Sequence, residues 1–381
     1  MSAPTTHVGL NLIFLVPGET GGMEVAAREL IPALIEAAPQ MRFTAFINRE
    51  AAAAKDGPWG ELLPAVTVPV NARNRLQWVR GEQMLLPRLA AREGVELLHS
   101  MASTAPSWGR FRRIVTVHDL IYARFPEAHK GIRDLGMRVL VPLAVRRSHR
   151  VIVDSHSTQR DLVELLGAPA DRIDVAPLGL GAVKRCEPLA ERDLRARLEL
   201  GERRVALSLS AKRPHKNLLA LIEALARIPP ERRPLLVLPG YPTEHEAQLR
   251  ERARSLGLQG DVRFLGWLAG EEFEGLWQVA EAFLYPSLYE GFGLPVLEAM
   301  ARGVPVACSN ASSLPEVAGE AALMFDPRDQ AAIAASIERL LADRREADRL
   351  RARGLERARE FTWARTARTT LDSYARTSPL R

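Results

Sequence analysis

Cysteine is nearly absent from this chain: two occur in 381 residues, Cys186 and Cys308, far apart and without metal-ligand spacing around them. That excludes a disulfide framework and makes a reducing cytoplasm the expected compartment. Long apolar runs are missing as well, since no stretch approaches the roughly 20 apolar residues of a membrane span. The first apolar run, Val8 to Val16, has strand length, stops at Pro17-Gly18 and follows no basic segment, so it does not read as a secretory leader. A soluble chain is expected, with peripheral association at the inner face of the cell membrane left open. Also missing are a GxGxxG fingerprint, a GxSxG elbow for a serine triad, a DxD motif placed after a strand, a His/Cys ligand cluster and any detectable internal repeat. Neither a resident metal nor a cofactor is expected.

Apolar residues make up 47% of the chain and charged residues 26%, ordinary values for a soluble globular protein. At 381 residues it is too long for one core and suits about two domains. The net charge of +6 raises the question of nucleic acid. A nucleic-acid reader clusters its cations beside a reading element, whereas LADRREADRLRARGLERARE interleaves Arg with Asp and Glu, the pattern of a solvated helix face. No nucleic-acid partner is expected; weak attraction to anionic lipid or to an anionic sugar nucleotide stays open.

Runs of strand length alternate with helical patterns along the whole chain. In the first half, strands are expected at Val8 to Val16, Arg42 to Ile47, Val66 to Val70, Leu97 to Ser100, Ile114 to His118, Val151 to Val153 and Val175 to Gly179. Helices are expected between them, notably Leu76 to Ala91 and Ile132 to Arg147. A second half begins at Arg204 to Leu209 and continues through Pro234 to Pro239, Val262 to Phe264, Ala282 to Tyr285, Val304 to Cys308 and Ala322 to Phe325. This rhythm predicts a parallel sheet covered by helices in each half. Ala182 to Asp193, with Pro188 and mixed charge, is the expected hinge.

The stretch from Tyr285 to Pro315 organises the rest. A strand runs into the Gly-rich loop Glu290-Gly291-Phe292-Gly293-Leu294; Pro295, a favoured first helical residue, then opens a helix that leads to a second strand. Such a unit puts an anionic ligand at the carboxyl edge of a parallel sheet, facing loop N–H groups and a helix dipole. Glu290 is expected in the loop and Glu298 in the first helical turn, both able to face one pocket. Alone, two such acids would read as a solvated loop residue and a helix N-terminal acid. The turn Ser210-Ala211-Lys212-Arg213-Pro214-His215-Lys216-Asn217 offers cations where a pyrophosphate would also meet helix N–H groups, or is a basic solvated turn. Gly21-Gly22, between the first strand and helix, lets a ligand approach the backbone or is an ordinary tight turn. His118 ends a strand at the ligand-facing edge, where an imidazole with an ordinary pKa near 6.5 donates or carries charge; the other reading is a histidine satisfied in the core.

With EGFGLPVLEAMARGVPV around Glu290-x7-Glu298 and SLPEVAGEAALMFDP after it, this stretch resembles the donor site of retaining glycosyltransferases of family 4. HDLIYARFP, from His118, is similar to a segment of the family's sugar-polymer branch. The resemblance implies the GT-B fold class: α/β, with two Rossmann-like domains facing across a cleft and a C-terminal helix crossing back. Residues 1–183 would be the acceptor domain, 184–360 the nucleotide-sugar donor domain, and 361–381 the crossover helix that follows Phe361-Thr362-Trp363. It implies transfer of a hexose, mannose favoured, from a nucleotide diphosphate sugar to a hydroxyl of a saccharide or lipid-linked glycan, with configuration retained and no metal. GDP-mannose is the favoured donor and a UDP-sugar the alternative. Glu290 would hold sugar hydroxyls and Glu298 the ribose hydroxyls. Lys216, with Arg213 or Lys212 and the loop Gly291, Phe292, Gly293, Leu294, would stabilise the leaving diphosphate. Gly21 and Gly22 would close on the donor phosphates and acceptor, and His118 would stand at the sugar. The chain departs from the family at Ala211, where an Arg is frequent, and at His215, where a related branch has Arg. That departure supports a second reading, a sugar-nucleotide-binding scaffold without turnover in an envelope glycan complex. An epimerase on the same fold is disfavoured by the E-x7-E spacing.

Overall fold

The computed structural model describes residues 6–54, 57–125, 132–181, 186–268 and 270–377. Pro126 of the HDLIYARFP segment and the first residues of the expected hinge, 182–185, lie outside the described residues. The chain divides into two compact units, Met1–Gly181 together with Thr362–Arg381, and Ala182–Phe361.

Unit 1 is built on seven strands: β1 (His7–Asn11), β2 (Arg42–Ile47), β3 (Ala65–Thr67), β4 (Leu97–Ser100), β5 (Arg112–Val117), β6 (Arg150–Val153) and β7 (Ile173–Val175). Every pairing is parallel, in the order β3-β2-β1-β4-β5-β6-β7. The central strands are buried along their length, as a sheet covered on both faces requires. Strand order reverses between β1 and β4, so the crevice outside their carboxyl ends is the place such a sheet offers a ligand. The last strand lies earlier than Val175 to Gly179. Pro177 has no N–H for the ladder, and its carbonyl instead accepts from Thr366 Oγ1 at 2.6 Å. Thr366 belongs to the final helix, Trp363–Arg376, whose N-terminus is capped by Thr362 and whose Trp363, Ala367 and Tyr374 are buried within this unit. The chain passes so close there that a Cβ on Gly179 would collide with the Trp363 backbone.

Unit 2 carries six strands: β8 (Val205–Leu207), β9 (Leu235–Leu238), β10 (Val262–Phe264), β11 (Ala280–Tyr285), β12 (Val306–Ser309) and β13 (Ala322–Phe325). They too are all parallel, in the order β10-β9-β8-β11-β12-β13. Helices Leu218–Arg227 and Gln330–Ala342 bury Leu221, Leu225, Ile333 and Ile337 against Leu236, Leu238 and Leu284 of the sheet. The reversal falls between β8 and β11, which singles out the loops that follow those two strands.

Candidate active site

Those two loops are the basic turn and the Gly-rich loop. Asn217, in the left-handed region at φ 58°, ends a 3₁₀ turn at Pro214–Lys216 and starts the helix Leu218–Arg227. Its side-chain amide donates to the carbonyls of Pro286 (3.1 Å) and Pro327 (2.7 Å), tying the turn to the end of β11. Lys216 is thereby aimed at Glu290: Nζ lies 2.6 Å from Oε1 and 2.9 Å from Oε2, and 3.0 Å from the Tyr285 hydroxyl. Burial opposes charge on both partners, yet each is outweighed by the other. Lys216 is raised and Glu290 lowered from their ordinary pKa values, so the pair is ionised and strongly coupled.

The loop around Glu290 is held by two serines. Glu290 N donates to Ser312 Oγ (2.8 Å), and Ser313 Oγ donates to the carbonyls of Glu290 (3.0 Å) and Phe292 (2.6 Å). Gly293 sits at φ 117°, where a Cβ would also press on Leu314 at 2.7 Å, so only glycine fits before the helix Leu294–Ala301. Phe292 is buried with its ring edge-on to Phe361, which leaves only its backbone to serve a ligand. Glu298 is the fifth residue of that helix, past the first turn, and shares no partner with Glu290. Its carboxyl has no hydrogen-bond or ion-pair partner among the described residues. Burial pushes it up to about 7; Arg302 opposes the rise and Glu274 adds to it. Arg302 itself is spent on Glu274, at 2.8 Å.

Of the basic turn, Lys212 does not face a ligand. It is fully buried, and its ammonium donates to the carbonyls of Gly240 and Leu265, both at 2.8 Å, with Glu246 at 3.4 Å. It joins the loops after β8, β9 and β10, a structural task that a charge-counting reading of the sequence misses. Arg213 is exposed, so of the two it is the one that reaches solvent beside Lys216.

In unit 1, His118 follows β5 and Asp154 follows β6. The register Val117↔Val153 makes them neighbours. His118 Nδ1 lies 2.7 Å from Asp154 Oδ2 and Nε2 lies 3.0 Å from the Met101 carbonyl. A carbonyl only accepts, so Nε2 carries a proton. Burial disfavours the imidazolium, but the Asp154 carboxylate outweighs it and the ring is raised to about 9. A cavity with room for about one water borders the pair, lined also by Thr116, Thr366 and Thr370. Gly21, at φ 64°, starts the helix Gly22–Ala37, and neither Gly21 nor Gly22 has an atom within 4 Å of where a Cβ would stand.

Asp154, Tyr285, Ser312 and Ser313 went unread in the sequence. Asp154 lacks any motif of its own; only knowing that β5 and β6 pair in register would have set it beside His118. Among the described residues no group of three or more His, Cys, Asp or Glu side chains is gathered as a metal site. No helix among them is long and apolar enough to cross a membrane.

Residues 190–357 match the model for glycosyl transferases group 1, and residues 20–181 match that for glycosyltransferase family 4. The chain is 33% identical to the O-antigen chain mannosyltransferase B of Escherichia coli over 69% of its own length and 70% of that protein. It is 30% identical to the E. coli serotype-specific mannosyltransferase WbdA over 70% of its length, spanning 34% of that longer protein. The sucrose-phosphate synthase of Thermosynechococcus elongatus has the same fold, with a TM-score of 0.76 at 23% identity over 97% of this chain and 98% of that one. The chain belongs to the family 4 glycosyltransferases, and its fold is GT-B.

Proposed function

We propose that this glycosyltransferase moves a mannosyl residue from GDP-mannose to a hydroxyl of a saccharide or lipid-linked glycan, with retention of configuration and without a metal. The observation that carries the reading is the ionised Lys216–Glu290 pair at the β8/β11 switch point, beside a helix N-terminus. Cations and helix N–H groups gathered there suit the leaving diphosphate. Lys216 and Arg213 supply the charge, and the backbone of Gly291 to Leu294 lines the approach. Glu290 holds sugar hydroxyls, and Glu298, whose carboxyl has no hydrogen-bond or ion-pair partner among the described residues, holds those of the ribose. Both His118 nitrogens are engaged by protein groups, so its part is a fixed positive charge at the end of β5 rather than proton transfer. The preference for mannose rests on the relatives named as mannosyltransferases, and an acceptor on a growing glycan follows from the same names. Association with the membrane face fits a lipid-linked acceptor and belongs to this proposal.

A donor panel tests it. GDP-mannose, UDP-glucose and UDP-N-acetylglucosamine are incubated with the full chain and a mannose oligosaccharide, and products are read by mass spectrometry. Extension by one hexose from GDP-mannose alone is expected. Extension from a UDP-sugar alone would replace the donor assignment, and nucleotide binding without release from any donor would replace the enzyme by a scaffold.

A further inference from the structure

Unit 1 has a switch point of its own, between β1 and β4, and a closed polar network fills it. Asn11, ending β1, donates through Nδ2 to Ser100 Oγ (3.0 Å) at the end of β4 and to Glu82 Oε1 (3.3 Å). Thr104 donates to the same Glu82 oxygen at 2.8 Å, and Gln83 Nε2 donates to the other at 3.2 Å. Glu82 is 1% exposed. Gln83 also grips the loop after β4: its Nε2 donates to the Ala105 carbonyl (3.0 Å) and its Oε1 accepts from Ser107 N (3.0 Å).

The helix expected at Leu76 to Ala91 is in fact broken into Arg75–Arg80, a π-turn Gly81–Leu85 and Leu86–Arg92. Single π-turns inside helices often mark functional sites. Pro87 has no N–H with which to meet the carbonyl four residues back, that of Gln83. This oxygen accepts instead from the indole Nε1–H of Trp108, at 2.5 Å. Trp108 thus has its polar atom turned into the protein and its ring 47% exposed, with the Arg88 guanidinium 5.9 Å from the ring centroid. Rings that sit at a water boundary usually point the N–H outward; this one is reversed and pinned.

We propose that Trp108 is the stacking platform for a pyranose ring of the acceptor saccharide, with Glu82 and Gln83 as the residues that position it. The proposal rests on the reading that the chain extends a glycan. The loop of residues 101–109 begins at Met101, whose carbonyl holds His118, and carries Trp108 near its other end, so one segment links the platform to the His118 site. A fixed aromatic ring offers the apolar C–H face of a sugar a surface that loses little entropy on binding. Exposed Leu76 and Met84 on the same helical stretch raise lipid as the other occupant, but the Arg88 guanidinium beside the ring and the backbone carbonyl that fixes its N–H give the platform a polar edge that suits a saccharide.

The test needs no donor turnover. Binding of mannotriose, maltotriose and chitotriose to the full chain is measured by saturation-transfer NMR and calorimetry, with Trp108→Ala and Trp108→Phe beside the wild type. Trp108→Ala is expected to lose about tenfold in affinity for mannotriose, and Trp108→Phe, which keeps a ring without the bond that fixes it, to lose less. Equal affinity of Trp108→Ala and wild type would overturn the proposal, as would a wild type that binds none of the three. Loss of binding to phosphatidylglycerol vesicles in Trp108→Ala, with saccharide affinity intact, would overturn it in favour of a lipid anchor. Binding of another trisaccharide, still dependent on Trp108, with none of mannotriose, keeps the platform and removes mannose from the proposed function.

Discussion

Lys216 and Glu290 stand 74 residues apart in sequence and meet with the ammonium 2.6 Å and 2.9 Å from the two carboxylate oxygens. The Tyr285 hydroxyl takes a third contact at 3.0 Å, so every N–H of the ammonium has an acceptor. On the proposed reading, a diphosphate oxygen would reach Lys216 by displacing one of these, and the glutamate freed in part would be left to meet the sugar. The proposed function would then couple donor binding and sugar recognition through one ion pair.

Removing either partner leaves a largely buried charge uncompensated. Lys216→Met and Glu290→Gln are each expected to lower stability by about 3 kcal/mol and transfer by about 10²-fold or more. The double variant should recover part of the stability and none of the activity. Thermal unfolding together with initial rates checks this; additive stability losses would show that the pair does not act as a unit.

Asp154 keeps His118 charged. The folded pKa, about 9, lies above the ordinary value near 6.5. The stabilisation is therefore full below about 6.5 and is lost as pH rises through about 9. In Asp154→Asn, burial acts without the carboxylate, and the imidazole midpoint should fall below 6.5 by NMR titration. Transfer by this variant should already have declined by neutrality, whereas wild type declines only in alkali. A midpoint that stays near 9 would assign the shift to some other group.

Lys212 and Arg213 are adjacent yet should behave oppositely. Arg213→Ala is expected to weaken nucleoside diphosphate binding about tenfold, with a reduced salt dependence, at little cost in stability. Lys212→Met removes the link among three loops and should instead lower the melting temperature. Excess chelator should leave the wild-type rate unchanged if, as proposed, side chains meet the charge on the diphosphate; loss of rate on chelation, restored by Mg²⁺ or Mn²⁺, would count against it.

Much of this was legible in the sequence because period and punctuation are local. The apolar runs of β6 and β9, Pro295 opening a helix and Gly293 before it all announce themselves within a few residues. What depends on strand order did not. Asp154 gains its meaning from lying beside His118 across β5 and β6, and Ser312 and Ser313 from folding back onto Glu290. Lys212 and Arg213 look alike in a string of residues; burial separates them. The π-turn at Gly81–Leu85 hides inside an unbroken helical pattern, and only the carbonyl that Pro87 leaves unmet explains why Trp108 comes to it.

Transfer with retention is the centre of the account, and the anomeric configuration of the product tests it most directly. GDP-mannose, whose mannose is α-linked, is supplied with a mannose oligosaccharide acceptor, and the new linkage is read from the one-bond carbon–hydrogen coupling at its anomeric centre. The account predicts an α-mannosidic product, lost in Glu290→Gln. A β-mannosidic product, or an α-product undiminished in that variant, would contradict it.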